Sequence, residues 1–210
     1  LRHNFLDIRV ALARILIPVS IFAVIAFLGC FISFDMNFFT AASLSLAILC
    51  FLLAFIVFAY SRKRVHHIWA IFNLIVATWG FGTFLAGISA TPNSALLSWK
   101  FTYLPCTFIS IVFYHLVSEF CGIRRPRILA FAYIQGFLFL PVIAFSRYFV
   151  GSTIYVFNSI YYHKATILFT FWLLVWGVIT FLAFFELHRF VKTSQGIQKT
   201  QASYLFWGML

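Results

Sequence analysis

The sequence predicts an all-α fold, a polytopic helical membrane protein with six complete transmembrane helices and the start of a seventh. Of its 210 residues, 64% are apolar and only 9% are charged, whereas a soluble domain carries about 25% charged residues. The apolar residues form runs of about 20, the length that crosses a bilayer. This pattern excludes an ordinary soluble domain. It also excludes a disordered chain, because disorder requires low hydrophobicity.

The predicted spans follow one another with short connections. They are Ile15–Phe34, Phe38–Tyr60, Ile68–Ser89, Phe101–Phe120, Ile128–Phe145 and Ala165–Phe185. Polar or turn-forming residues mark the connections, among them a tight turn at Asp35-Met36-Asn37 and predicted loops over Ala90–Lys100 and Glu186–Gln201. A further apolar run starts at Ala202 and is too short to cross a bilayer. Since the sequence also begins at Leu1, we expect it to be a fragment of a longer protein.

The basic residues predict the orientation, because Lys and Arg concentrate in cytoplasmic loops. With a cytoplasmic N-terminus, the inner segments carry twelve of them: Arg2, Arg9, Arg14, Arg62, Lys63, Arg64, Arg124, Arg125, Arg127, Arg189, Lys192 and Lys199. The outer segments carry Lys100, Arg147 and Lys164. The formal net charge of +11 is then a signature of topology and of contact with anionic lipid. We expect a lipid bilayer as partner and no nucleic acid.

No catalytic residue, metal site or cofactor is predicted. The sequence holds no Gly-rich phosphate loop, no His-Glu-x-x-His and no nucleophile elbow. The four cysteines, Cys30, Cys50, Cys106 and Cys121, lack metal-ligand spacing and are typical of small buried apolar residues.

The fourth predicted span carries the first candidate site. At 100° per residue, five hydroxyl side chains fall within an arc of about 80°: Tyr103, Thr107, Ser110, Tyr114 and Ser118. His115 and Glu119 lie beside this hydroxyl stripe, one turn apart, and ionisable groups inside a membrane are functional candidates. We expect the stripe to face inward, towards a ligand or signal. The alternative is packing, with hydroxyls bonded between helices and Glu119 paired with Arg124 or Arg125.

The longest outer segment, Ser146–Lys164, carries the second candidate site. Arg147, Tyr148, Tyr155 and His163 are expected to face outside together with Trp99, Lys100 and Lys164. A cation beside aromatic rings is suited to an anionic or flat ligand. The alternative is an aromatic interface belt closed by a loop. The alternation over Ser152–Phe157 predicts a short strand.

Several motifs share their order with a known family. They are Ser61-Arg62-Lys63-Arg64; Trp69-Ala-Ile-Phe72-Asn73-Leu, then Trp79-Gly80-Phe-Gly82; Trp99-Lys100-Phe-Thr-Tyr103-Leu-Pro105; Phe120-Cys-Gly122, then Arg124-Arg125-Pro126-Arg127; and Gln198-Lys199-Thr-Gln201-Ala-Ser-Tyr204-Leu205-Phe-Trp-Gly208. From about residue 40 onward this pattern resembles the N-terminal seven-transmembrane region of bacterial sensor histidine kinases. Residues 1–37 would then be a basic segment with an additional first helix. Residues 38–210 would be the transmembrane sensor domain, truncated within its sixth core helix.

The resemblance implies a function and partners. The chain would be the membrane sensor of a two-component histidine kinase in the bacterial plasma (inner) membrane. Its kinase region would follow residue 210, with homodimerisation through that region and an unknown stimulus or small ligand. A cyclic-dinucleotide synthase output is a related expectation. A transporter or permease fragment is the main alternative, and an inverted repeat would explain the similarity of residues 79–86 to residues 176–183. Coincidence is the favoured explanation of that similarity, because neighbouring spans show no matching resemblance and Phe, Leu, Ala and Gly are abundant in the chain. A membrane-embedded enzyme is disfavoured, because the sequence shows no set of residues typical of a catalytic site.

Overall fold

A computed structural model describes Gly29 and residues 37–208. Apart from Gly29, the predicted first span Ile15–Phe34 lies outside the described residues. Residues 37–208 form six helices and one hairpin: α1 (Phe38–Tyr60), α2 (Arg64–Gly87), α3 (Pro92–Phe120), α4 (Pro126–Phe145), β1 (Thr153–Val156), β2 (Ile160–His163), α5 (Ile167–Thr193) and α6 (Gly196–Gly208). Five of these helices, α1 to α5, are long and apolar enough to cross a membrane. The chain is therefore a multi-pass helical membrane protein.

Helix α3 begins nine residues before the predicted start of its span, so the predicted loop Ala90–Lys100 is mostly wrong. Thr91 is the N-cap, and its hydroxyl accepts a hydrogen bond from the backbone N–H of Ser94. The Ser94 hydroxyl accepts from the N–H of Thr91 in return. Pro92 occupies the first turn, where its missing N–H costs nothing. This capping box starts the helix in a segment that its polar composition marked as a loop.

Helix α5 continues to Thr193, so the first half of the predicted loop Glu186–Gln201 is helical. Leu187, Phe190 and Val191 keep the helical spacing of apolar residues and pack into the bundle. The helical conformation is interrupted at Ser194 and Gln195. Helix α6 then starts at Gly196, six residues before the apolar run at Ala202. With 13 residues, α6 as described is too short to span a bilayer.

Helix α3 is the centre of the bundle. It contacts α2, α4, α5 and both strands. In its apolar stretch 61% of the residues are buried, against 17% in α4 and in α5. Each of the three buried apolar clusters of the described residues includes α3 side chains, for example Trp99, Val112 and Tyr114. A displacement of α3 would therefore disturb its contacts with α2, α4, α5 and the hairpin.

Glycines on α2 permit close helix packing. A Cβ at Gly80 would lie 3.1 Å from the carbonyl oxygen of Ser43 on α1, and a Cβ at Gly82 would lie 2.9 Å from Thr102 Cα on α3. Gly177, which corresponds to Gly80 in the repeated motif, has open space at that position. The two copies of the motif thus pack differently, which favours coincidence over an inverted repeat.

The hairpin lies between α4 and α5. Its strands are antiparallel, with Thr153 opposite His163 and Val156 opposite Ile160. Phe157 and Asn158 have positive φ in the connecting turn. The predicted strand within Ser152–Phe157 is confirmed, whereas its partner Ile160–His163 was not predicted. The hairpin contacts α2 and α3, so it covers the end of the bundle where α3 begins.

Candidate functional site

The hydroxyl stripe faces the interior of the bundle, as predicted. Tyr103, Thr107, Ser110, Tyr114 and Ser118 are all buried. The Thr107 hydroxyl donates to the carbonyl oxygen of Tyr103, 2.9 Å away. The Ser110 and Tyr114 hydroxyls have no hydrogen-bond partner among the described residues. The stripe thus combines satisfied and unsatisfied polar groups. A ligand- or signal-facing role for it stays a prediction.

Hydrogen bonds of two aromatic side chains on α3 fasten the hairpin to the first turns of this helix. The Trp99 indole Nε1 donates to the carbonyl oxygen of Tyr161, 2.8 Å away. The Tyr103 hydroxyl oxygen lies 3.0 Å from both ring nitrogens of His163. Both bonds join residues about 60 positions apart in sequence. Tyr103, the first residue of the hydroxyl stripe, is therefore also a contact point of the hairpin.

Aromatic rings enclose His163. The rings of Trp99, Tyr103, Tyr162 and Phe169 have centroids 4.4 to 5.1 Å from that of His163. Only 5% of the His163 surface is exposed, and this burial lowers the His163 pKa from 6.5 to about 4. His163 is therefore neutral at physiological pH, and its bond to Tyr103 joins two uncharged groups. We call this set of five residues the aromatic cap.

The predicted outer cluster does not form one site. His163 and Trp99 are buried in the aromatic cap, whereas Arg147, Tyr148 and Tyr155 are exposed. His163 and Trp99 are therefore not accessible to a ligand at the surface, as the predicted outer cluster requires. The cause is the hairpin, which folds back onto α3 and covers both side chains.

The exposed members of the predicted outer cluster lie in two places. Arg147 and Tyr148 border a shallow groove of about 580 Å³ over the start of α5. The Thr166 hydroxyl fixes the loop beside this groove by donating to the carbonyl oxygens of Tyr148 and Phe149, at 2.6 and 3.0 Å. The Tyr155 ring contacts Tyr161 across the hairpin instead.

At the opposite end of α3, His115 and Glu119 point to different helices. His115 Nδ1 lies 3.0 Å from the Tyr133 hydroxyl oxygen on α4. Glu119 Oε2 lies 3.6 Å from Arg64 Nε on α2. The alternative pairing of Glu119 with Arg124 or Arg125 is wrong. The two residues connect α3 to its neighbours on either side.

Sequence reasoning missed the ion pair between Arg125 and Glu186. Arg125 Nη2 lies 2.7 Å from Glu186 Oε1, and the Glu186 side chain is buried. The pair joins the start of α4 to α5. A signal was present in the sequence: residues 37–208 hold two carboxylates, Glu119 and Glu186, and both lie at the end with the basic turns. Each finds an arginine from another segment.

The described residues offer no group of three or more His, Cys, Asp or Glu side chains that could hold a metal ion. Comparison of the chain with known protein families, with curated proteins and with solved structures finds no match. The geometry and the motifs quoted above are thus the grounds for assigning a function.

We expect the hairpin to undock in acid. Well above pH 6.5, His163 is neutral whether the hairpin is docked or undocked. As the pH falls towards 4, an undocked His163 gains a proton that a docked one does not. Docking should therefore weaken over that window, by up to about 1.4 kcal/mol per pH unit. Spin labels at Asn93 and Ser159, both exposed, would measure the separation of the hairpin from α3.

The matched control is His163→Asn, which keeps a polar side chain and removes the titration. Its label separation should not change between pH 7 and pH 4. A wild-type separation that is also constant over this range would contradict the prediction. The titratable side chains that face His163 are Tyr103 and Tyr162, with the exposed Lys164 next in sequence.

Proposed function

We propose that this chain is the membrane-embedded sensor region of a bacterial signal-transduction protein, whose parent is a two-component sensor histidine kinase. The observation that carries the proposal is the position of α3. The same helix holds the hairpin at one end and an ion pair with α2 at the other. It is therefore suited to convert an event at the hairpin into a displacement at the opposite end.

The distance over which α3 connects the two ends matches a membrane. Trp99 and Glu119 are 20 residues apart, which corresponds to about 30 Å of helix. That is the thickness of the hydrocarbon core of a bilayer. Pro105 lies in between and cannot donate a hydrogen bond to the carbonyl oxygen of Phe101, which makes this point of α3 easier to bend. A stimulus at the hairpin could therefore tilt the remainder of α3.

The charge distribution supports an orientation for this device. Arg62 and Lys63 lie in the turn that precedes α2, Arg124 lies in the turn that precedes α4, and Arg127 lies in the first turn of α4; all four are at the end remote from the hairpin. Since basic loops stay in the cytoplasm, that end is cytoplasmic in our proposal, and the hairpin is on the outer side of the plasma membrane. The aromatic cap then receives the stimulus, and α5 and α6 lead towards the output region.

The motif resemblance is what makes a kinase the proposed parent. The transporter alternative has lost part of its support, because the repeated motif packs against α1 in one copy and faces open space in the other. A transporter also carries broken helices with charges near the bilayer midplane. In α1 to α5, the carboxylates Glu119 and Glu186 lie near the basic end instead.

Phosphorylation of the protein in native membranes tests the proposal. When the full-length protein is incubated with radiolabelled ATP, it should acquire an acid-labile, base-stable phosphate on a histidine. His115→Ala and Glu119→Gln should change the basal level of that phosphate without changing the amount of protein in the membrane. These residues connect α3 to α4 and α2, so their loss should shift the balance between two helix arrangements.

Tyr60→Phe is the control variant, because its exposed ring at the end of α1 lies outside these contacts and outside both candidate sites; it should phosphorylate as the wild type does. Absence of histidine phosphate together with solute flux through reconstituted vesicles would contradict the proposal and favour a transporter. Wild-type phosphorylation in both His115→Ala and Glu119→Gln would remove these two residues from the signalling path.

A further inference from the structure

Ser110 and Tyr114 are two buried hydroxyl groups without a partner. Both residues are 1% exposed, and neither hydroxyl has a hydrogen-bond partner among the described residues. They are one helical turn apart on α3, so they share a face. Lipid cannot satisfy a hydroxyl group, and water is absent from the bilayer core. Two unsatisfied groups at one place in the bundle therefore require an explanation.

The usual explanation does not apply to Ser110. Serine and threonine in these helices commonly donate to the carbonyl oxygen four residues back, as Thr102 does to Ser98 and Thr107 to Tyr103. The corresponding acceptor for Ser110 is the carbonyl oxygen of Cys106. That oxygen accepts the helical N–H of Ser110 and also the indole Nε1 of Trp176 from α5, 3.2 Å away. A carbonyl oxygen has two lone pairs, so none remains for the Ser110 hydroxyl.

We expect the Tyr114 hydroxyl to lie near the level of Ser110 in the bundle. A long side chain on a helix points back over the preceding turn, so the Tyr114 hydroxyl lies towards Ser110 and away from the basic end. Ser110 is ten residues from the end of α3 at Phe120, which places it about 15 Å from that end. This is close to the middle of a bilayer about 30 Å thick. The surrounding buried residues, such as Ile111 and Ile179, are apolar.

We propose that Ser110 and Tyr114 bind an internal water molecule at the centre of the bundle. The site is complete while the Trp176 indole donates its hydrogen bond to the carbonyl oxygen of Cys106. A buried water needs two to four polar partners, and the two hydroxyls supply two. The close burial of both side chains favours the smallest ligand that can both donate and accept. The site does not depend on the sensor function proposed above.

The site also couples α3 to α5. If the Trp176 indole leaves Cys106, the Ser110 hydroxyl gains the usual acceptor and can turn towards it. The Ser110 hydrogen then points to Cys106, so the water loses the hydrogen bond that Ser110 donates to it. Occupancy of the site and the α3–α5 contact at Trp176 are therefore linked, and water binding favours the arrangement in which Trp176 is bonded to α3.

Thermal unfolding of the full chain in mild detergent tests the site, because the sign of the change in melting temperature shows whether the hydroxyl groups have a partner. If water is bound, Tyr114→Phe and Ser110→Ala should each lower the melting temperature by about 2–4 °C, the effect of one lost hydrogen bond. Tyr148→Phe removes a hydroxyl from an 81% exposed side chain and should leave the melting temperature unchanged. An unchanged or raised value for Tyr114→Phe would overturn the proposal, because deleting an unpartnered hydroxyl relieves a cost.

Trp176→Phe tests the coupling. This variant frees the carbonyl oxygen of Cys106, so the effect of Tyr114→Phe on the melting temperature should fall by half or more in that background. An undiminished effect would refute the link between Trp176 and the site. An experimental density map of the wild-type protein gives an independent readout. It should show an isolated solvent peak within hydrogen-bond distance of the Ser110 and Tyr114 hydroxyls, and an empty position or a protein atom there would overturn the proposal.

Discussion

Trp99→Ala is expected to lower the free energy of unfolding by about 3–5 kcal/mol, the range for truncating a buried tryptophan. Trp99 is buried where α3 meets the hairpin, and its ring contacts Tyr103, Tyr162 and His163. The variant also removes the indole that donates to the carbonyl oxygen of Tyr161. That carbonyl oxygen then loses its partner on α3. Reversible unfolding in mixed detergent, followed by circular dichroism, would measure the loss.

One further variant separates the contributions of the Trp99 ring and its N–H donor, and a second variant, at Trp207, is the control. Trp99→Phe keeps an aromatic ring and removes the donor, so it should cost less than Trp99→Ala. Trp207→Ala truncates a tryptophan whose side chain is mostly exposed on α6, and we expect a change within about 0.5 kcal/mol. A loss for Trp99→Ala as small as that for Trp207→Ala would show that the aromatic cap does not stabilise the bundle.

The sequence was sufficient to predict the helical membrane architecture, because hydropathy over about 20 residues is a local property. Helices close to the predicted spans are present at Phe38–Tyr60, Arg64–Gly87 and Pro126–Phe145. The ends of α3 and α5 were misplaced, because polar residues there suggested loops. At Thr91 and Ser94 these residues form a capping box instead. Distinguishing a cap from a loop requires the hydrogen bonds themselves.

The candidate site was only partly predictable, for a physical reason. The inward face of the hydroxyl stripe follows from the period of a helix, and the structure confirms it. The aromatic cap joins Trp99 to Tyr161 and Tyr103 to His163, residues separated by about 60 positions. No local pattern encodes such a contact. A histidine near Lys164 and several tyrosines therefore looked like an exposed cluster until the fold of the hairpin was known.

The charged groups show the same limit. Their number and sign indicated which end of each helix carries the basic turns, but the partners of Glu119 and Glu186 were not evident. Arg64 and Arg125 belong to different segments from the carboxylates they contact. Pairing across segments depends on which helices are neighbours, and that is a property of the whole bundle. The consequences of the two pairs should differ, because their burial differs.

Arg125→Ala should destabilise the protein by about 2–4 kcal/mol, because it leaves the Glu186 carboxylate buried without an opposite charge. The Glu186 side chain is 4% exposed, and the two groups are 2.7 Å apart. The estimate is below the full range for a buried pair, since 41% of the Arg125 side chain is exposed. Arg64→Ala breaks a longer contact of 3.6 Å, in which the arginine is 72% exposed. It should cost less than about 1 kcal/mol.

The double variant Arg125→Ala with Glu186→Ala isolates the cause of this loss. If the unpaired carboxylate is responsible, removing it as well should restore more than half of the stability lost in Arg125→Ala, because the buried charge is no longer present. Detergent unfolding of the two single variants and the double variant gives the interaction energy. Additive losses would mean that Arg125 stabilises α4 through packing alone. In that case the link between α4 and α5 at the basic end would be apolar, and the ion pair would be incidental.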